Sequence, residues 1–196
     1  WSVDFAEIAA MQRTGDWGKA GEALADAARK LESVGAAAIV LCTNTMHCVA
    51  NTVEGAVRVP FLHIADATAA ALKAAGKRRP LLLATRYTME QPFYKDRLAD
   101  SHGIEALVPD ADGRAAVHDI IFKELVHGAV FPASRRRYQA VIEQGIRDGA
   151  DSVILGCTEI GMLLSQKDVA LPCFDTTALH AKAAVDFALS GDSGSS

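Results

Sequence analysis

The chain carries one pattern twice. Val34 to Thr45 reads VGAAAIVLCTNT, and Asp148 to Ile160 reads DGADSVILGCTEI. Each has Gly-Ala, a short apolar run, and then Cys-Thr before a polar residue that opens a helical pattern. VPFLHIADATAAAL follows the first copy at Val59 to Leu72, and LPCFDTTALHAKAAV follows the second at Leu171 to Val185. Both continuations place a proline, then an aspartate and a threonine opening an alanine-rich helix. The landmarks keep their order, with Cys42 and Cys157 about 115 residues apart. The repeat predicts two similar α/β halves, each with a cysteine at the carboxyl end of a buried strand. In open α/β sheets that is where ligands bind.

The intervening residues fit this plan. Leu24, Ala27, Ala28, Leu31 and Val34 fall at helical spacing from Trp17 to Val34, and Gly35 ends the run. Buried parallel strands are expected at Ala37 to Leu41, Val59 to Ile64, Pro80 to Ala84, Glu105 to Val108, Ser152 to Leu155 and Leu171 to Phe174. Helices are expected from Asp66, as cap, to Ala75, and over 90–101, 115–127, 134–148 and 176–189. Trp1, Val3 and Phe5 read as a strand end running into a loop, and the GDSGSS tail as a flexible terminus. Strands alternating with helices mean an α/β fold with parallel sheets covered on both faces.

Composition narrows the function. Half of the residues are hydrophobic and 6% aromatic, the balance of a soluble α/β protein. Net charge is −4, and the densest basic cluster, Arg135 to Arg137, falls in a helical pattern and reads as a solvated face. Phosphate tracking needs a broad basic surface, so no nucleic-acid partner is expected. No apolar run approaches a bilayer span and the amino end lacks a basic start, so no membrane partner is expected. Four cysteines without secretory features point to a reducing, cytoplasmic location. None is spaced as CxxC and no close histidine pair accompanies them, so no metal is expected. The expected assembly is a homodimer.

Two thiols on opposite sides of a small molecule can exchange one proton across a planar intermediate. One thiolate removes it, and the opposite thiol supplies a proton to the other face. Inversion of a stereocentre is the natural product. The basic thiol must titrate below its ordinary range, which a helix amino end beside each cysteine would achieve. Backbone N–H groups with the side chains of Thr43, Asn44, Thr45 and Thr158 offer donors for a carboxylate and for enolate-like charge. Glu159 would cap the following helix or bind a substrate ammonium. His47 would touch substrate or orient Cys42, or is structural; His63, Arg86 and Tyr87 follow or end strands near the presumed cleft. Cys48 and Cys173 lack the duplicated context and read as packing residues. No glycine-rich phosphate loop is present and the lysines lie on helix surfaces, so no pyridoxal or other cofactor is expected.

These residues carry a resemblance. LCTNTMH and LGCTEIGML, supported by PFLHIADAT, ATRYTMEQPFY and FDTTALHAKAAV, make the chain similar to the aspartate/glutamate racemases that use no pyridoxal phosphate, over nearly its whole length. The resemblance implies two flavodoxin-like domains related by a pseudo-twofold axis: residues 1–75 with 175–196, and residues 76–174. It implies Cys42 and Cys157 as the acid/base pair, and Thr43, Asn44 and Thr45 as the substrate-carboxylate loop. It also implies Lys123 as a contact for the substrate side chain, against its reading as a solvated helix lysine. The implied activity is cofactor-independent racemisation of aspartate, glutamate or a broader range of amino acids. Hydantoin racemases, maleate isomerases and decarboxylases share the paired cysteines, but the TRYTMEQ segment argues against them. A non-catalytic amino-acid-binding protein is the alternative of another class. Members of the family also open with a strand, a glycine-rich loop and a helix not found here, and we expect this sequence to be the ordered part of a longer protein.

Overall fold

A computed structural model describes residues 1–190, so the expectation for the GDSGSS tail lies outside the described residues. Two parallel sheets organise them. The larger has order β3-β4-β5, formed by Pro80–Ala84, Ser152–Gly156 and Cys173–Asp175. Its register pairs Pro80 with Ser152 through Ala84 with Gly156, and Val153 with Cys173 through Leu155 with Asp175. Every residue of β3 and β4 is buried. That follows from their continuous apolar runs, which suit strands covered on both faces. The segment expected as a strand at 105–108 keeps a single bridge, Leu107 to Leu81, on the other edge of β3.

The smaller sheet pairs β1 (Ile39–Val40) with β2 (Phe61–Leu62), both far shorter than their apolar runs. Local hydrogen bonds claim the missing residues. Thr43 N–H turns back to the Leu41 carbonyl at 2.8 Å, ending β1. His63 leaves β2 to cap α4 (Ile64–Ala74), its Nδ1 accepting from the Ala65 N–H at 3.2 Å. The expected cap, Asp66, stands in the first turn instead and pairs with Arg97 and His102. A carboxylate with two cationic or N–H partners is better satisfied there than at the helix end.

Other boundaries moved for equally local reasons. Residues Phe5–Thr14 form helix α1, not a loop after a strand, because Asp4 caps the Ala6 N–H at 2.8 Å. The face bearing Ile8, Ala9 and Gln12 is buried, whereas Trp1, Val3 and Phe5 remain exposed. Gly15 ends α1 at φ 73°, a left-handed conformation that suits glycine. Helix α2 (Trp17–Ser33) matches expectation closely, and α3 (Ala50–Glu54) follows the first cysteine loop. The helix expected over 90–101 is present from Pro92, and a further short helix precedes it. Gln91 precedes Pro92 and is extended, so α5 (Arg86–Glu90) stops before α6 (Pro92–Asp96), which runs on into a π turn at Arg97–Ser101. Asp110 caps α7 (Ala111–Lys123), followed by α8 (Pro132–Arg147) and the one-turn α9 (Ile160–Leu163). The last helix, α10 (Thr176–Ser190), leaves β5 and packs against α4. Thus α10 returns to the first half.

Candidate active site

Both cysteine loops leave the carboxyl ends of parallel strands. After β4 come Cys157, Thr158 and Glu159, and after β1 come Cys42, Thr43, Asn44 and Thr45. Thr43, Asn44, Thr45, Cys157, Thr158 and Glu159 line one cavity of about 100 Å³, which Phe5, Gln12, Thr85, Ile121, Phe122, Val126 and Gly156 complete. Cys42 lies in the adjoining groove of about 340 Å³. The two hollows share Phe5, Gln12 and Thr43. Cys42 and Cys157 therefore line two adjoining hollows, and all four cysteines are free thiols.

The Cys157 thiol donates to Glu159 Oε2 at 2.9 Å, and the Thr158 hydroxyl donates to the same oxygen at 2.6 Å. Burial, and then the adjacent carboxylate, push the thiol far above its ordinary range. This reverses the expectation that a helix amino end would lower it. The reason is geometric: α9 is a single turn, and the Cys42 loop leads into a 3-10 turn at Thr45–Val49, so neither offers an aligned helix dipole. Glu159 makes no capping hydrogen bond to α9, so its carboxylate serves the thiol.

Asn44 is oriented by a chain of donors. Thr176 Oγ1 donates to the Leu155 carbonyl at 3.0 Å and so must accept from Asn44 Nδ2, also at 3.0 Å. That leaves Asn44 Oδ1 buried without a partner among the described residues. A buried acceptor in a cavity wall is costly until a donor arrives. Thr45 is held by hydroxyl contacts to Thr85 at 2.9 Å and Thr88 at 3.2 Å.

The remaining expectations divide. Lys123 is not brought into the cavity. Its ammonium pairs with Asp119 at 2.8 Å and its side chain is 72% exposed, the solvated helix lysine of the alternative reading. Arg86 and Tyr87 also stay off the wall: the Arg86 N–H donates to His118, and Tyr87 packs edge-on against Trp17. His47 and His63 lie beneath the Cys42 loop with ring centroids 4.3 Å apart. Burial drives Cys48 to about 12 and raises Cys173. The residues missed were Phe5, Gln12, Thr85 and the apolar side of Ile121, Phe122 and Val126. Thr85 alone left a signal, as the first polar residue after β3. Among the described residues no cluster of three or more His, Cys, Asp or Glu could hold a metal ion, and no helix is long and apolar enough to cross a membrane.

Residues 2–184 match the Asp/Glu/Hydantoin racemase family. The chain belongs to that family. Its relatives are racemases, which are isomerases, and its two parallel sheets are those of the family's two-domain flavodoxin-like fold. A candidate Asp/Glu racemase from Yersinia pestis superposes with a TM-score of 0.90 at 50% identity, covering 96% of this chain and 82% of the other. An aspartate racemase homologue from Pyrococcus horikoshii gives 0.83 at 32%, covering 96% and 81%. The broad-specificity amino-acid racemase RacX of Bacillus subtilis (strain 168) is 28% identical over 166 residues, 84% of this chain and 70% of its own.

Proposed function

We propose that the chain interconverts the L and D forms of an amino acid without a cofactor, using Cys42 and Cys157 as opposed acid and base, with aspartate and glutamate the leading substrates. The observation that carries this reading is the 2.9 Å contact between the Cys157 thiol and Glu159 in a cavity walled by Thr43, Asn44 and Thr45. A thiol used only for packing has no need of a carboxylate in place to take its proton.

In this reading the substrate carboxylate lies on the donors of Thr43 to Thr45 and Thr158. The α-ammonium donates to the orphan oxygen of Asn44, which as an oriented acceptor suits N⁺–H better than carboxylate. Cys42 and Cys157 face opposite sides of the α-carbon. When Cys157 is the acid, its protonated resting state is ready to donate. When it is the base, Glu159 first takes the thiol proton, and the thiolate then takes the α-hydrogen while the Cys42 thiol protonates the opposite face. The donors around the carboxylate stabilise the enolate-like charge at the moment it develops. The site would lie between units of residues 1–75 with 175–196 and residues 76–174. The assembly would be a homodimer, and a reducing cytoplasmic location accords with four free thiols.

The test is circular dichroism of L- and D-aspartate, L- and D-glutamate and a panel of neutral amino acids incubated separately with the protein. Both enantiomers of a substrate should decay to zero ellipticity. Binding of an amino acid without α-hydrogen exchange would make this a binding protein instead.

A further inference from the structure

We propose that His47 is the positioning residue of the Cys42 loop: it fixes the Thr43 carbonyl, and through it the peptides on which Cys42 and Asn44 are mounted. The inference rests on the racemase reading for its catalytic consequence, but its structural content stands apart from it.

His47 sits one turn beyond Thr43, is 2% exposed, and has both ring nitrogens engaged. Ile64 N–H, at the start of α4, donates to Nε2 at 3.1 Å. An Nε2 that accepts cannot carry the proton of a neutral ring, so the proton is on Nδ1 and donates to the Thr43 carbonyl at 2.7 Å. The ring is neutral because burial, and then the neighbouring His63, hold it well below the ordinary histidine range. Its packing admits little rotation: His63, Phe61 and His180 surround it with ring centroids at 4.3, 5.6 and 5.9 Å. His63 is fixed as the α4 cap, and His180 is tied to the Leu62 carbonyl at 2.7 Å.

The peptides on either side of Thr43 are thus each held at one point. Thr43 N–H bonds to the Leu41 carbonyl at 2.8 Å, and the Thr43 carbonyl bonds to His47. Both bonds flank residues proposed to act: Cys42 on one side, and Asn44 with its unpaired Oδ1 on the other. The smaller sheet supplies only a two-residue β1 to hold this loop, so the histidine provides rigidity that the strand does not. A shift of about 1 Å in such a loop is enough to cost on the order of 10²-fold in rate.

Asparagine and glutamine separate the two ring contacts. In His47→Asn the amide nitrogen falls near Nδ1 and can still donate to Thr43, whereas in His47→Gln the amide reaches toward Nε2 and Ile64 and abandons Thr43. Turnover is expected to fall about tenfold or more in His47→Gln and to recover to within about threefold in His47→Asn. The rate of iodoacetamide labelling at Cys42 should change in His47→Gln while that at Cys157 does not, as read by peptide mass spectrometry. Nitrogen-15 spectra of the wild-type protein should show His47 as the Nδ1–H tautomer. That spectrum and the labelling pattern require no racemase activity, so they judge the positioning role even if no amino acid is racemised. An Nε2–H tautomer, equal labelling in the two variants, or equal turnover in active variants would overturn the inference.

Discussion

The two cysteine loops begin from nearly the same sequence and end in different surroundings. Cys157 leaves the five-residue β4, the middle strand of its sheet, is half-buried, and has a carboxylate within hydrogen-bonding distance. Cys42 leaves a two-residue strand, is exposed, and has its thiol 3.6 Å from the Val40 carbonyl. Behind the second loop stands Glu159; behind the first stand three neutral histidines. The residue before each cysteine differs in the same sense. At Gly156 a Cβ would lie 2.9 Å from Leu82 and 3.1 Å from the Leu83 carbonyl, whereas the corresponding Leu41 is half-buried along the open groove. A repeated pattern can set where two thiols stand while their environments make them differ. Burial and the Glu159 carboxylate hold Cys157 protonated, and Cys42 is the exposed thiol.

The largest effect should come from removing either thiol. Cys42→Ser and Cys157→Ser should each lower racemisation by at least about 10³-fold, because a hydroxyl is too weak a base near neutral pH. Each variant should still wash deuterium from solvent into one enantiomer only, and the two variants should choose opposite enantiomers. Mass spectrometry of substrate recovered from D₂O checks this. Washout from the same enantiomer in both variants would break the division of labour.

Glu159→Gln probes the asymmetry directly. kcat/KM should fall about 10²-fold. The factor should be the same in both directions, since the enantiomers have equal free energy and the ratio of the two kcat/KM values must stay at one. Loss of the adjacent negative charge should also bring the Cys157 thiol down toward its ordinary range, so iodoacetamide should label it faster at neutral pH, with Cys42 unaffected. Unchanged turnover and labelling would mean that the carboxylate is a bystander.

Acid sensitivity should belong to the Cys42 side. His63 is held at about 4 against an ordinary 6.5, first by burial and then by the Arg97 guanidinium. The folded state therefore binds fewer protons than the unfolded chain between those values. The contribution of His63 is full above about pH 6.5 and is lost as pH falls through about 4, on the order of 2–3 kcal/mol. His47 and His180, both depressed chiefly by burial, add to the loss in the same direction. Burial alone would raise Asp66, but Arg97 and His102 hold it at about 2, so its own contribution is lost only at lower pH. The thermal midpoint should drop between pH 6.5 and 4, and His63→Asn, which retains a capping side chain, should flatten that drop. An undiminished slope in the variant would place the acid sensitivity elsewhere.

The smallest effect is expected from Lys123→Ala. An exposed i,i+4 pair contributes little, and the lysine stands off the cavity, so kcat/KM should stay within about twofold. A rise in KM of about tenfold for aspartate or glutamate, but not for neutral substrates, would bring Lys123 back as the side-chain contact.

Much of this was legible before any coordinates. PLLLA and SVIL could only be buried parallel strands, and the repeated Cys-Thr steps located the two loops that meet at the cavity, because apolar periodicity and strand-end chemistry are local properties. Boundaries failed where a local hydrogen bond outbid the pattern, as when His63 took the cap expected of Asp66 and Asp4 opened a helix where a loop was expected. The partners of Cys157 and Asn44 lay further out of reach. Glu159 is two residues from the thiol, yet only the turn after β4 aims its carboxylate there. Asn44 owes its orientation to Thr176, 132 residues away. Sequence by itself determined the α/β architecture, the repeat and the positions of both thiols, since these follow from which residues must be buried and which must follow a strand. The tertiary structure alone decided the protonation of Cys157, the exposure of each thiol and the direction of the free amide oxygen, because electrostatics and hydrogen-bond satisfaction depend on groups that only folding brings within a few ångströms.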